Sequence, residues 1–229
     1  MSGGWFITGT DTGVGKTLVA QTLLTALARQ DLRAVGMKPV ASGCQPTPNG
    51  LRCADAEQLI ISSGVAADYA DVNPYAFAPP VAPSLAAQAA GVEIRLEKII
   101  AHFERLRRLA PWVVVEGVGG WLVPLGPGLT MAQVAQALRL PVILVVGMRL
   151  GCLNHALLTA QAIRQQGVPL AGWVANRIDP DMLWPEKNEA ALCDCLDAPM
   201  LATFPCLNLQ IAGARLPVFV LEKLINIAK

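Results

Sequence analysis

Nine residues near the start of the chain combine glycines, a lysine and a threonine in an order suited to phosphate binding. The stretch runs from Gly9 to Thr17 and reads GTDTGVGKT. The N–H groups of such a loop and the positive end of the following helix can hold a polyphosphate. The Lys16 ammonium can then reach the β and γ oxygens, and the Thr17 hydroxyl can hold Mg²⁺. Nucleotide binding is therefore the favoured interpretation, and an ordinary glycine-rich turn is the alternative.

The spacing of this loop departs from the usual phosphate-loop pattern. Counted back from Gly15, the pattern G-x-x-x-x-G-K-[ST] requires a glycine at position 10, where this chain has Thr10 after Gly9. The flanking residues nevertheless support the motif, because an apolar run at 5–8 predicts a strand and the apolar spacing of 18–24 predicts a helix. A strand, a loop and a helix form the context in which the motif binds phosphate.

Other polar side chains follow the ends of predicted strands. Lys38 and Ser42 follow one apolar run, Glu116 ends a second and Asn176 ends a third. In a parallel α/β sheet, ligands bind beyond the carboxyl ends of the strands. Glu116 would suit Mg²⁺, and the Asn176 amide would suit the donor and acceptor edge of a heterocycle. The alternatives are a solvated surface lysine at Lys38 and an acid of no special role at a strand-to-turn junction at Glu116.

Two predicted helix starts add groups that could bind ions. Asp55 lies in the first turn of a short helix, where a carboxylate equally serves as a partner of the helix dipole. Residues 149–154 lead from a buried strand into a helix whose free N–H groups could hold an anion. His155 follows, and a capping or packing role is favoured over proton transfer because nothing nearby in sequence would orient it.

The pattern of elements predicts the scaffold that would bring these residues together. At least six apolar runs alternate with segments of helical periodicity, and no linker divides residues 1–229. We expect a single α/β domain of P-loop fold, with a mostly parallel sheet of about seven strands flanked by helices on both faces. The proline-rich residues 73–83 are expected to form an irregular surface loop or lid.

Composition excludes several classes of protein. Hydrophobic residues make up 53% of the 229 residues and charged residues only 15%, which excludes disordered and coiled-coil proteins. The net charge of +1 argues against nucleic acid as a partner, and the basic residues at 105–108 fit the solvent face of a helix. Six cysteines without a disulfide-scaffold spacing fit reduced thiols.

The location of the chain is also predicted. No secretory pattern and no apolar run of membrane-spanning length are present, so we expect a cytoplasmic protein without a membrane partner. Residues 218–225 could form an amphipathic helix at a membrane surface, but a helix that packs on the core is favoured.

Taken together, several short motifs of the sequence resemble those of the ATP-dependent dethiobiotin synthetases. They are TGTDT and VGKT within 8–17, KPVASG at 38–43, VNPY at 72–75, VEG and GG within 115–120, LGC and NH within 150–155, and GWVAN at 172–176. The early glycine at position 9 is normal in that family. The chain departs from the family pattern at Cys206, where tryptophan is expected, and at Val118, where alanine is usual.

The resemblance implies a homodimeric cyclo-ligase of biotin biosynthesis that uses ATP and Mg²⁺. Such an enzyme closes the ureido ring of dethiobiotin from 7,8-diaminononanoate (7,8-diaminopelargonate) and CO₂. One amine captures CO₂ as a carbamate, and the γ-phosphoryl group of ATP is transferred to it. The second amine then closes the ring with release of phosphate.

The resemblance also implies roles for individual positions. Lys38 and Lys16 are the expected catalytic residues, and the expected ligands of Mg²⁺ are Thr17, Asp55 and Glu116. The expected nucleotide contacts are Gly13, Val14, Gly15, Lys16, Thr17, Leu18, Asp55, Glu116, Gly117, Val118, Gly119, Asn176, Arg177, Pro205, Cys206 and Leu207. The expected diamine contacts are Thr12, Lys38, Ser42, Gly151, Cys152, Leu153 and Asn154. The last four of these are expected to act from the partner subunit, so that the dimer forms the active site.

Two other classes of P-loop protein are disfavoured. Partitioning and septum-positioning switches resemble a motif with a signature lysine where this chain has Asp11. Amidotransferase-like synthetases require a glutaminase domain, for which 229 residues leave no room.

Overall fold

The computed structural model describes residues 3–206 of the chain. Leu207 and the helix predicted at 218–225 lie outside the described residues. In chain order the elements are β1 (Gly3–Gly9), α1 (Lys16–Ala28), β2 (Ala34–Met37), β3 (Val40–Ala41), β4 (Gln45–Thr47), β5 (Gly50–Arg52), α2 (Ala54–Ser62), α3 (Tyr69–Val72), β6 (Tyr75–Ala76), α4 (Pro83–Ala89), α5 (Leu96–Leu109), β7 (Trp112–Glu116), β8 (Pro124–Gly126), β9 (Leu129–Thr130), α6 (Met131–Leu138), β10 (Val142–Met148), α7 (Cys152–Gln165), β11 (Leu170–Arg177), α8 (Pro185–Cys195) and β12 (Met200–Phe204).

Six parallel strands form the central sheet in the order β12-β11-β10-β1-β7-β2. The α/β P-loop fold predicted from the sequence is confirmed, and the described sheet has one strand fewer than the approximate seven. β7 and β10 are buried along their whole length, as expected for strands covered on both faces. β1 lies between β10 and β7, so its carboxyl end opens at the middle of the sheet edge.

Alternate residues of β1 pack on opposite faces of the sheet. Trp5 and Ile7 join the cluster built with α1, whereas Phe6 joins the cluster built with α5 and α6. On α5, Ile99, Phe103 and Leu106 form the buried stripe that helical periodicity predicts. Full burial of such a side chain stabilises the fold by about 1.5–3 kcal/mol. These contacts fix the strand ends against which the candidate site is built.

The sequence did not predict the short strands outside the main sheet. Three two-stranded pieces, β3–β6, β4–β5 and β8–β9, lie beside the main sheet. The proline-rich segment is mostly irregular as expected, but it contains β6 and ends where α4 begins at Pro83. The start of α6 carried a readable signal, because Thr130 and Gln133 form a capping box. No helix within residues 3–206 is long and apolar enough to cross a membrane.

Candidate active site

The loop between β1 and α1 has the backbone geometry of a phosphate cradle. Gly13 and Gly15 have φ angles of 76° and 93°, in the left-handed region that favours glycine. Gly9 also has a steric reason to be glycine, since a Cβ atom there would lie 2.6 Å from a methyl group of Val14. The early glycine therefore lets the loop fold back over the end of β1.

The backbone of the phosphate loop holds the side chain of Lys16 in place. Its ammonium donates a hydrogen bond of 2.9 Å to the backbone oxygen of Asp11, and its side chain is buried. Burial lowers the pKa of Lys16 to about 8, and the nearby charge of Lys38 adds to the effect. An anion bound beside Lys16 would therefore raise this pKa again and stabilise the ammonium.

Lys38 joins two carboxylates at the end of β2. Its ammonium lies 2.8 Å from Asp55 Oδ2 and 2.5 Å from Glu116 Oε1, and only 4% of the side chain is exposed. Burial alone would lower the pKa of Lys38, but the charges of Glu116 and Asp55 outweigh it and raise that pKa above its usual value. Burial would likewise raise the pKa of Asp55, and Lys38 reverses this so that the pKa is lowered. Lys38 and Asp55 are therefore both held in their charged forms at neutral pH.

Glu116 also has an oxygen that is free to bind a metal. Its Oε1 accepts from the Thr17 hydroxyl at 2.8 Å, whereas its Oε2 is buried without a hydrogen-bond partner among residues 3–206. An unpartnered buried carboxylate oxygen is costly unless a cation or a donor completes it. Thr17, Asp55 and Glu116 together offer the oxygen ligands that Mg²⁺ prefers, with space left for phosphate and water. The residues present therefore fit Mg²⁺.

A cavity of about 310 Å³ brings about half of the predicted site residues together. Its lining contains five residues of the phosphate loop, Lys38, which is predicted to be catalytic with Lys16 of the loop, and the three predicted metal ligands. The lining residues are Thr12, Gly13, Gly15, Lys16, Thr17, Lys38, Ala41, Ser42, Cys53, Asp55, Glu116, Val118 and Gly119. Gly117 is not among them, because its N–H donates to Ile7 O at 2.9 Å and a Cβ atom would press on Phe6. Leu18 packs instead against the core on the α1 face of the sheet.

The predicted base-binding residues lie on the other side of the loop. Asn176 is buried at the end of β11 and donates to the backbone oxygen of Val14 at 2.8 Å. The guanidinium of Arg177 is engaged by Glu186 and Glu189, each at 2.9 Å. Pro205 and Cys206 follow β12, whose last residue is in register with Asn176. The structure thus brings Asn176, Pro205 and Cys206 to one edge, while Arg177 pairs with α8.

The start of α7 lies outside this cavity. Gly151 has a φ of 94° and precedes Cys152, which is buried, and Asn154, which is exposed. Arg149 connects this region to the phosphate loop, since its guanidinium lies 2.6 Å from Asp11 Oδ2. The Thr12 N–H and then Arg149 stabilise the charged Asp11 carboxylate, and they lower its pKa despite its partial burial. This ion pair was not predicted, because its partners are far apart in sequence. His155 is exposed and lines no part of the cavity.

Two further polar residues lie behind Lys38. The Asn73 side chain donates to the backbone oxygen of Lys38 at 2.6 Å, and it accepts from the Tyr69 hydroxyl at 3.0 Å. Asn73 was part of a recognised sequence motif, but no role was predicted for it. Tyr69 carried no signal in the sequence.

Comparisons with known proteins find relatives over most of the chain. Residues 4–212 match the model of the family described as AAA domain. Proteins named ATP-dependent dethiobiotin synthetase BioD are 51% identical over 201 residues in Xanthomonas axonopodis pv. citri and 53% identical over 206 residues in Nitrosospira multiformis. The matches cover 88% and 90% of this chain and 90% and 89% of those proteins, respectively. A third protein of that name, from Baumannia cicadellinicola, is 46% identical over 98% of this chain and 97% of its own length.

Solved structures are similar in fold alone. The MinC:MinD cell division protein complex of Aquifex aeolicus contains a chain with a TM-score of 0.56 and 19% identity, covering 89% of this chain and 81% of that one. A ParA family ATPase of Chlorobium tepidum has a TM-score of 0.54 and 12% identity, covering 89% of this chain and 84% of that one. At such low identity these likenesses carry no information about function.

Proposed function

Because the chain belongs to the family of ATP-dependent dethiobiotin synthetases, we propose that it makes dethiobiotin from 7,8-diaminononanoate, CO₂ and MgATP. It is an ATP-dependent cyclo-ligase of biotin biosynthesis. One amine adds to CO₂ and loses a proton, which gives a carbamate. A carbamate oxygen attacks the γ phosphorus, ADP leaves, and a carbamic-phosphoric anhydride forms. The second amine attacks the carbonyl carbon, phosphate leaves, and the ureido ring is closed.

The observation that carries this assignment to particular residues is the position of Lys38. Its ammonium lies between two carboxylates in the same cavity as the phosphate loop and Ser42. Both the carbamate and the transferring phosphoryl group are negative, so a fixed ammonium beside them lowers the barrier by electrostatic stabilisation. Lys38 is the catalytic residue of this step, and Lys16 neutralises the β and γ oxygens.

Magnesium would be held by Thr17, Asp55 and Glu116. The unpartnered Oε2 of Glu116 supports this set, as does the exposure of the Asp55 carboxylate to the cavity. The ion would supply positive charge that offsets the negative charge of the nucleotide phosphates. The protein contributes the orientation of the three oxygen ligands, which the Thr17 hydroxyl bond to Glu116 maintains.

The nucleotide is proposed to lie along the phosphate loop. The loop backbone from Gly13 to Leu18 would hold the triphosphate, with Val118 and Gly119 on the opposite wall of the cavity. Asn176 would recognise the base with its amide oxygen and its second N–H, because the other N–H donates to Val14 O. Pro205 and Cys206 would flank the base at the same sheet edge. Arg177 would act there only after one of its carboxylate partners is exchanged for the nucleotide.

The diamine is proposed to bind between two subunits of a homodimer. Thr12 and Ser42 would contact its reacting end, whereas its carboxylate would bind at residues 151–154 of the partner subunit. Support comes from α7, where Leu150, Leu157 and Leu158 are exposed beside the helix start. An apolar surface next to an anion site suits an interface that also buries the alkyl chain of the substrate. The free cysteines among the described residues fit a reducing compartment, and a cytoplasmic location is proposed on that basis.

Phosphate release tests the function directly. The purified protein with MgATP and bicarbonate should release phosphate at a substantial rate only when 7,8-diaminononanoate is added, and mass spectrometry should detect dethiobiotin. A diamine of equal length without adjacent amines is the matched control, since it cannot form the five-membered ureido ring. Turnover that ignores the diamine would overturn the assignment.

Mixed dimers test whether the site is shared. Asn154→Asp places a negative charge at the start of α7, where it stabilises the helix but repels the substrate carboxylate. Lys38→Ala removes the catalytic ammonium. If each active site combines Lys38 of one subunit with the α7 start of the other, heterodimers of the two inactive variants should regain activity. Verified heterodimers without activity would contradict this geometry.

A further inference from the structure

The strand end that carries Lys38 is held by a side chain from a different part of the chain. Lys38 precedes a proline, so the usual β-ladder stops there, and the backbone groups of Lys38 need other partners. The Lys38 N–H donates to Val72 O at 2.8 Å, and the Lys38 oxygen accepts from the Asn73 amide at 2.6 Å. Both partners lie at the end of α3, at its last residue Val72 and at Asn73 directly after it.

Both polar atoms of the Asn73 amide have hydrogen-bond partners in this arrangement. Its nitrogen donates to Lys38 O and, at 3.2 Å, to Tyr75 O, while its oxygen accepts from the Tyr69 hydroxyl at 3.0 Å. Two carbonyls on one side and a hydroxyl on the other fix the orientation of the amide. Since Asn73 is only 4% exposed, loss of any of these partners would leave a buried polar group unpaired.

Tyr69 extends the contact to the helix that carries Asp55. Its hydroxyl accepts the N–H of Cys53 at 2.7 Å, and Cys53 is the residue that precedes α2. The guanidinium of Arg52 lies 3.9 Å from the centre of the Tyr69 ring, and this cation–π contact also restrains the ring. Burial raises the pKa of Tyr69, so its hydroxyl keeps its proton and can donate while it accepts.

These contacts form a closed circuit around the catalytic lysine. From the Lys38 backbone the circuit passes through Asn73 and Tyr69 to Cys53, and two residues later Asp55 returns to the Lys38 ammonium at 2.8 Å. We propose that Asn73 and Tyr69 are positioning residues, which fix the Lys38 backbone relative to the start of α2 and thereby hold the Lys38 ammonium in place between Asp55 and Glu116. Neither residue lines the cavity, so both act through Lys38 and Asp55.

Tyr69→Phe is the sharpest test, because it removes one hydroxyl from the circuit and preserves the ring. Its kcat should fall about tenfold, the equivalent of one lost hydrogen bond, whereas the Kd for MgATP should stay unchanged because the phosphate loop is intact. Tyr75→Phe is the matched control. The Tyr75 hydroxyl accepts from the Arg95 N–H at 2.8 Å, away from the circuit, so its loss should leave kcat unchanged.

A second comparison separates positioning from general support of the fold. In a Lys38→Met background, Tyr69→Phe should have no further effect on the residual turnover, because the group that it positions is absent. Equal loss in both backgrounds, or equal weakening of kcat and of MgATP binding, would overturn the proposal. An unchanged kcat for Tyr69→Phe would overturn it as well.

Hydrogen exchange provides a readout that needs no turnover. The activity arm rests on the proposed function, and it is void if wild-type protein shows no phosphate release that depends on the diamine. In that case peptides covering 36–41 and 53–58 decide the question by mass spectrometry. Tyr69→Phe should speed exchange in both peptides and Tyr75→Phe in neither. Faster exchange at 53–58 alone would show that Tyr69 does not reach Lys38 and would reject the circuit.

Discussion

At the scale of single residues, the buried carboxylate of Glu116 interacts with both Thr17 and Lys38. Its Oε1 accepts from Thr17 and contacts the Lys38 ammonium, while its Oε2 has no hydrogen-bond partner in the described part of the chain. A buried carboxylate is tolerated only when charge and hydrogen bonds compensate its lost hydration. Removal of Lys38 therefore exposes two effects, a catalytic one in the cavity and a destabilising one at Glu116.

Lys38→Met should lower phosphate release by about 10²–10³-fold, the range for loss of one preorganised charge or donor to a transition state. The Kd for MgATP should change little, because the loop that holds the triphosphate is retained. Stopped-flow phosphate release and calorimetry below the unfolding transition would measure the two. Lys187→Met is the control, since Lys187 stacks on exposed Trp184 outside the site. Equal loss of turnover and nucleotide affinity would mean that Lys38 is only a nucleotide ligand.

The lowered pKa of Lys16 gives nucleotide binding a defined pH dependence. The pKa of Lys16 is about 8 in the nucleotide-free protein because burial disfavours its charge. Below that pH the ammonium is present and affinity should be constant; above it, binding must take up a proton and the Kd for MgATP should rise. Calorimetry in two buffers of different ionisation enthalpy would detect the uptake. Lys16→Arg, which stays charged, should lose this dependence, and an equally pH-dependent arginine variant would refute the assignment.

At the scale of elements, the phosphate loop depends on glycines for two separable reasons. Gly13 and Gly15 both have positive φ, but a Cβ atom at Gly13 would meet none of the residues 3–206 within 4 Å, whereas one at Gly15 would lie 2.2 Å from the amide nitrogen of Asn176. Glycine is therefore required at position 13 only for its positive φ angle. At position 15 it is required both for its positive φ angle and because a side chain would clash with Asn176.

The pair Gly13→Ala and Gly15→Ala should separate these effects. Gly13→Ala carries the strain of a left-handed alanine, about 1 kcal/mol, and should weaken MgATP binding modestly. Gly15→Ala adds the clash with Asn176 and should abolish measurable binding. Equal affinities of the two variants, measured by calorimetry, would show that Asn176 does not support the loop.

The same elements show what sequence reasoning could reach. Periodicity placed β1, β7, β10 and β11 and the ends that carry Glu116 and Asn176, because a buried parallel strand is a continuous apolar run. It missed the hairpin β4–β5, whose residues are largely exposed and carry no apolar pattern. It also missed the bond from Asn176 to Val14, since residues so far apart in sequence meet only when the sheet is assembled. The site residues were therefore predicted through their motifs, and their mutual contacts were not.

At the scale of the whole molecule, three of the exposed apolar side chains within residues 3–206, Leu150, Leu157 and Leu158, lie at or near the start of α7. Leu150 is 96% exposed and Leu158 is 58% exposed, next to the helix start proposed to bind the substrate carboxylate. An apolar patch beside a polar site is typical of a surface that another subunit covers.

Leu158→Glu tests whether this surface forms the dimer. Since the residue is already solvent-exposed, the folded protomer should tolerate the glutamate, but a charge in an apolar interface should prevent association. Analytical ultracentrifugation should show monomers that bind MgATP but have lost turnover that depends on the diamine. Leu183→Glu, also at an exposed leucine but outside α7, is the control. A fully active monomer would remove the partner subunit from the site.

The charges of the cavity and its rim have a kinetic consequence. Lys16, Lys38 and Arg149 are matched by Asp11, Asp55 and Glu116, and Lys38 and Arg149 form direct ion pairs with them. A site whose charges cancel projects little field beyond a Debye length, which is about 10 Å at 0.1 M salt. Nucleotide is then captured by diffusion and close contact, without long-range electrostatic steering. We expect the association rate constant for MgATP to change little between about 0.05 and 0.3 M salt, and discrimination against competing anions to arise at the loop after they arrive.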